Sequence, residues 1–114
     1  MEIVDKLDNK RRPLNKTAER HDKIEGEYQQ SVHTWIQNSK GEFLIQKRTP
    51  NKRAWPNMWS QTGGAVDEGE TTLQAALREC KEELGIDINP NNIELVMTFR
   101  RKFDIVDVWL VKQD

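Results

Sequence analysis

Between Tyr28 and Gln37 the side chains change character at every step, with Val32, Thr34 and Ile36 alternating against His33 and Trp35. A period of two is what a pleated strand with one buried face requires. Asn38-Ser39-Lys40-Gly41 has turn chemistry, and a second run, Glu42 to Arg48, carries Phe43, Leu44 and Ile45. The two runs predict a hairpin. The period changes after Thr71. No Pro or Gly interrupts Thr72 to Leu84, and Leu73, Ala76, Leu77, Cys80 and Leu84 fall on one stripe at about 100° per residue. Thr71 is a good N-cap, Gln74 completes a capping-box pattern, and Gly85 stands where a left-handed C-terminal cap belongs. The pattern predicts a helix over 72–84 with that stripe buried.

The remaining segments are shorter. Met1 to Asn15 reads as a hairpin, with Ile3, Val4 and Leu7 before the turn at Asp8-Asn9 and Leu14 after it. Lys16 to Ile24 is highly charged and reads as a weak helix or an irregular loop. Thr49 to Ser60 is a loop, and Gln61 to Val66 leads through the paired Gly63-Gly64 into the helical region. Ile88 to Asn92 is a turn around Pro90. Ile93 to Arg100 and Ile105 to Val111 read as strands, joined by Arg101-Lys102-Phe103-Asp104. Strands on both sides of a helix place the chain in the α/β (α+β) class. Its 114 residues fit one small domain, 1–114.

Composition narrows the function classes. The net charge is −1, so no overall basic field points to nucleic acid or to a membrane surface. A single Cys excludes an internal disulfide and fits a reducing cytosol. No long apolar run suggests a membrane span or signal peptide, which makes the cytoplasm the expected location. His21 lies in the charged segment and reads as exposed. His33 reads as a sheet residue, its ring either packed or solvated.

The chemistry concentrates on the helix. Glu79, Glu82 and Glu83 fall within one arc of roughly 100°. Glu79 and Glu83 form a like-charge i,i+4 pair that costs about 0.2–0.5 kcal/mol. Glu82 and Glu83 lie at the negative end of the helix dipole, for about 0.3–1 kcal/mol more each. A hard divalent cation reverses the sign, because Mg²⁺ and Mn²⁺ seek clustered carboxylate oxygens. For an isolated Glu-Glu pair the plain alternative is a solvated acidic face with Arg78 paired to Glu82.

The whole stretch is more specific than the pair. From Gly64 to Ile86 the chain reads GAVDEGETTLQAALRECKEELGI, with five residues between Gly64 and Glu70 and seven between Glu70 and Arg78-Glu79. Cys80, Lys81, Glu82-Glu83, Leu84, Gly85 and Ile86 follow. This stretch resembles the Nudix box at every defined position, with Cys80 where the family usually has a bulkier aliphatic residue. The resemblance implies a mixed β-sheet between helices and a Mg²⁺- or Mn²⁺-dependent hydrolase of a small-molecule diphosphate. It implies Glu79, Glu82 and Glu83 as metal ligands, with the Gly63 carbonyl as a further one. Catalytic roles would then fall to Glu79, Glu82, Glu83 and Arg78, with Arg78 orienting the carboxylates and Glu70 bracing the loop-to-helix junction.

The segment FLIQKRTPNKRAWPNMW, residues 43–59, resembles the matching part of isopentenyl-diphosphate isomerases, which share the Nudix fold. By that resemblance Arg48 and Lys52 hold the substrate diphosphate, and cations on a loop suit phosphate oxygens. The alternative is that Lys52 and Arg53 are solvated loop charges. The isomerase also needs a catalytic Cys and a metal-binding His, and here those positions are Gly63 and Ala65. Cys80 falls on the buried stripe, where a thiol serves structure rather than catalysis. Trp35, Trp55, Trp59 and Trp109 could stack on a planar group or anchor loops. Trp59 reads as packing, while Trp55 stays open between the two.

The reading is therefore an isomerase-like Nudix hydrolase that attacks a nucleoside diphosphate linked to a further moiety, or a similar diphosphate. Its rivals are a nucleotide sensor without catalysis and a true isomerase. In related Nudix domains the chain continues past the strand Ile105–Val111 into further sheet and a final helix. The expectation is therefore a domain lacking those C-terminal elements. Trp109, Val111 or their neighbours would then be exposed, turnover would be weak, and the chain would self-associate as a homodimer.

Overall fold

The computed structural model describes residues 2–47 and 59–114. In chain order the elements are β1 (Ile3–Leu7), β2 (Pro13–Glu19), β3 (Gln29–Gln37), β4 (Phe43–Leu44), β5 (Gln46–Lys47), β6 (Trp59–Ser60) and β7 (Thr62–Ala65). Then come α1 (Thr72–Leu84), a 3-10 turn at Pro90–Asn92, β8 (Ile93–Arg100) and β9 (Asp104–Lys112). The main sheet runs β4-β3-β9-β8, with β7 also paired to β3. β3 and β9 are parallel over their full length, from Gln29 opposite Asp104 to Gln37 opposite Lys112, while the other pairings are antiparallel. Among the described residues this is a mixed sheet with one α-helix, an α+β arrangement. Among the described residues no helix is long and apolar enough to cross a membrane.

The alternation along β3 does what its period requires. Val32, Thr34 and Ile36 are buried, while His33 and Trp35 keep part of their surface. Helix α1 packs against β3 and β7. Ile36 and Val111 join Cys80, Ile88, Leu77 and Leu84 in one cluster, and Val32, Val66, Ala75 and Trp109 form another. Full burial of an aliphatic side chain contributes about 1.5–3 kcal/mol over exposure, so these clusters hold the helix on the sheet.

A polar knot ties the N-terminal hairpin to this frame. Arg11, in the β1–β2 turn with a left-handed φ of 65°, reaches the buried Asp107 of β9. Its guanidinium donates to the two carboxylate oxygens of Asp107 at 2.9 and 2.7 Å, and to Gln30 Oε1 at 2.7 Å. Thr72 Oγ1 donates to the same carboxylate at 2.7 Å and Thr98 Oγ1 at 2.8 Å. Four segments thus meet at one side chain, and β3 joins them through the bond of Gln30 to Arg11.

Several expectations need correction. The charged segment after Asn15 is neither helix nor loop as far as Glu19. It pairs with β1 as strand, from Ile3 opposite Glu19, because the exposed β2 needs only backbone partners and not apolar side chains. The expected strand Glu42–Arg48 is broken at Ile45 into β4, which pairs β3, and β5, which pairs β6. Its apolar residues Phe43, Leu44 and Ile45 are exposed. Val111 is fully buried beneath Cys80 and Ile88, and Trp109 packs on Val32 and Ala75, so neither lies open. Among their neighbours, Leu95, Val96 and Met97 of β8 are exposed, which is the part of that expectation that holds.

Candidate active site

The helix carrying the acidic residues begins and ends as its sequence dictates. Thr71 Oγ1 accepts from the Gln74 amide at 3.1 Å, and Gln74 Oε1 accepts from the Thr71 amide at 2.8 Å. Gly85 closes the helix with φ 69°. The buried face, however, is turned from the predicted stripe. Ala75, Ala76, Glu79 and Cys80 are the buried residues, whereas Leu73, Leu77 and Leu84 keep part of their surface. The rotation brings a carboxylate inside.

Gly64 makes room for it. A Cβ placed on Gly64 would stand 2.7 Å from Glu79 Oε1, so any side chain there would displace the carboxylate. At Gly63 a Cβ would meet the Val32 carbonyl oxygen at 2.4 Å, a clash with backbone that cannot swing away. Paired glycines therefore let β7 lie directly between β3 and Glu79. This backbone has no space for a catalytic Cys at position 63, and Ala65 is buried.

Arg78 organises the carboxylates around it. Nε donates to Glu70 Oε2 at 2.8 Å, and Nη2 to Glu70 Oε1 at 3.0 Å and the Ala65 carbonyl at 3.1 Å. Nη1 donates to Glu79 Oε1 at 2.8 Å and to Glu82 Oε2 at 3.2 Å. Glu70 also accepts from the Asp67 amide at 3.0 Å, which pins the loop ahead of the helix. The Arg78 fork holds the Glu70 carboxyl below its ordinary value, and Glu70 in turn pushes the guanidinium higher.

Glu79 behaves differently. Burial and hydrogen bonding to the Glu83 side chain raise its pKa to about 7, against the opposing pull of Arg78. Gln46 Nε2 of β5 donates to Glu83 Oε2. Glu79 and Glu83 thus meet, while Glu82, its side chain more than half exposed, is drawn to Arg78. Among the described residues no three acidic, His or Cys side chains are already gathered as a cation site. The donor set still fits a hard divalent cation. A buried carboxylate beside a second one is costly without a positive charge between them, and a divalent cation would satisfy both. Glu82, three residues from Glu79, could join by leaving Arg78.

Arg48, Lys52, Arg53 and Trp55 lie outside the described residues. Trp59 is 63% exposed and so is not the packing residue expected. Trp35 stands edge-on to Phe43 at 5.8 Å. Cys80 is fully buried, and burial pushes its thiol up to about 11, which leaves it an uncharged core group. Gln46 was missed from the sequence. Nothing in its local pattern marks it, and only the strand pairing around β5 carries it to Glu83.

A family profile for the NUDIX domain matches residues 27–113. A Nudix hydrolase of Listeria innocua is 40% identical over 116 residues, an alignment that takes in all of this chain and 69% of that protein. An isopentenyl-diphosphate Delta-isomerase of Escherichia coli is 38% identical over 58 residues, covering 50% of this chain and 32% of the isomerase. A crystal structure from Deinococcus radiodurans superposes with a TM-score of 0.84 at 25% identity, over 99% of this chain and 73% of that one. The family profile over most of the chain and the relative aligned along all of it show that the chain belongs to the Nudix hydrolase family.

Proposed function

We propose that the chain hydrolyses the diphosphate linkage of a nucleoside diphosphate bearing a further moiety, or of a similar small diphosphate. Mg²⁺ or Mn²⁺ would be held by Glu79, Glu82 and Glu83 with the Gly63 carbonyl. The observation that carries this reading is the buried carboxylate of Glu79 meeting Glu83 in the space left by Gly64. A purely structural helix gains nothing from that contact. A bound divalent cation supplies charge neutralisation at the phosphate oxygens and lowers the pKa of water. The chain's own residues do the rest. Arg78 keeps Glu79 aimed at the β7 backbone, and the Glu70 brace keeps Arg78 in place. An oxygen of the carboxylate pair takes the proton as water attacks phosphorus. The new P–O bond forms as the bond to the leaving phosphate breaks. Arg48 and Lys52 would hold the diphosphate oxygens.

A screen of diphosphate compounds with Mg²⁺ or Mn²⁺, read by phosphorus NMR of the products, tests this. Cleavage of at least one class, lost in Glu83→Gln, is the expected result. Binding of nucleotides without any cleavage would establish the sensor reading instead. The isomerase reading predicts allylic product from isopentenyl diphosphate, which the closed space at Gly63 argues against.

A further inference from the structure

A cavity of about 350 Å³ lies where the β2–β3 connection meets the β8–β9 turn, lined by Arg20, Lys23, Arg101, Lys102 and Phe103, with Gln29 and Asp104. Four cations line this one hollow in a chain whose net charge is −1, so its positive field is local. Two of the four are matched. Arg20 pairs with Glu2 at 2.8 Å, and Arg101 forks onto the Asp104 carboxylate at 2.8 and 2.6 Å. Ser31 Oγ adds a further hydrogen bond to Asp104 at 2.9 Å, so that carboxylate is satisfied. Lys23 and Lys102 make no ion pair among the described residues. Both ammonium groups instead stand over the ring of Phe103, at 5.9 and 5.4 Å from its centroid.

Both ammonium groups line the cavity, and neither has a carboxylate partner among the described residues. An anion resting in the cavity would be attracted by both. The chemistry is that of a phosphoryl group: several acceptor oxygens, more than one negative charge, and a size the cavity admits.

We propose that this cavity binds the phosphoryl group of a small phosphorylated compound, with Lys23 and Lys102 as its principal contacts and Arg101 as a third donor. The proposal does not depend on the hydrolase reading. The phosphoryl group belongs either to a remote part of the hydrolysed substrate or to a separate ligand.

The test titrates the metal-free full chain with inorganic phosphate at low ionic strength and follows the backbone amide resonances. Saturable shifts are expected at Arg20, Lys23 and residues 101–104, reversed by added salt. Lys23→Gln/Lys102→Gln should weaken the affinity about tenfold while its spectrum elsewhere stays that of the parent. Lys23→Arg/Lys102→Arg should keep it. Absence of saturable shifts at these residues, or equal affinity in the Gln variant, overturns the proposal. A second arm compares KM for a cleaved diphosphate with and without an additional phosphate. A lower KM for the phosphorylated compound that vanishes in the Gln variant assigns the cavity to the substrate. Equal KM values with lysine-dependent phosphate binding assign it to a separate ligand.

Discussion

At the scale of single residues, the site depends on absent side chains as much as on present ones. Gly64→Ala places a Cβ 2.7 Å from a carboxylate that can swing aside, whereas Gly63→Ala places one 2.4 Å from a backbone oxygen that cannot. Urea unfolding should therefore show Gly64→Ala costing about 1–3 kcal/mol and Gly63→Ala the larger loss. Gly64→Ala should also weaken Mn²⁺ binding in a calorimetric titration, because it moves Glu79. Arg78→Lys keeps the charge but loses the fork that serves Glu70, Glu79 and the Ala65 carbonyl together. A loss of about 2 kcal/mol and a fall in kcat greater than any rise in KM are expected. Cys80→Ala removes only a buried sulfur, so stability should drop by about 1 kcal/mol while turnover per folded molecule stays within twofold.

At the scale of elements, the N-terminal hairpin and helix α1 are coupled to the sheet through Asp107. Burial works against its carboxylate, but hydrogen bonds from Arg11, Thr72 and Thr98 outweigh that and hold its pKa below 3.8. A depressed folded pKa means that its stabilisation is complete above 3.8 and is lost as pH falls through the folded value. Asp107→Asn leaves Arg11 without its partner and should cost about 3 kcal/mol at neutral pH. Denaturant midpoints measured from pH 7 downward should converge for parent and variant in acid. Parallel curves over that range would show that the carboxylate charge is not what joins the elements.

At the scale of the whole molecule, metal binding and folding should be linked. The carboxylates that meet on α1 belong to a helix held by β3 and β7, so a cation bound there stabilises the native chain over the unfolded one. At a concentration one hundred times Kd the gain is about 2.7 kcal/mol. A thermal melt in Mn²⁺ should rise accordingly in the parent and not in Glu82→Gln/Glu83→Gln. An equal rise in both would remove the metal assignment from this helix.

Helix α1 was legible to the residue, because its cap, its closing glycine and its period are local properties of the chain. Within a residue at either end so were β3, β8 and β9, whose alternation or apolar runs need no partner to be recognised. The acidic arc could be read from spacing alone, since Glu79, Glu82 and Glu83 share a helix. Which of them would be buried could not. That depends on how far the helix rolls against β7, and the roll is set by the missing side chain of Gly64. The parallel pairing of β3 with β9, the strand nature of Lys16–Glu19 and the arrival of Gln46 at Glu83 are decided the same way. So is the gathering of Lys23 and Lys102 around Phe103. Sequence determines what each segment can become by itself, because caps and periodicity act within a few residues. Only the tertiary structure chooses which distant groups share a space, because that choice follows from steric fit and desolvation between segments that no local pattern encodes.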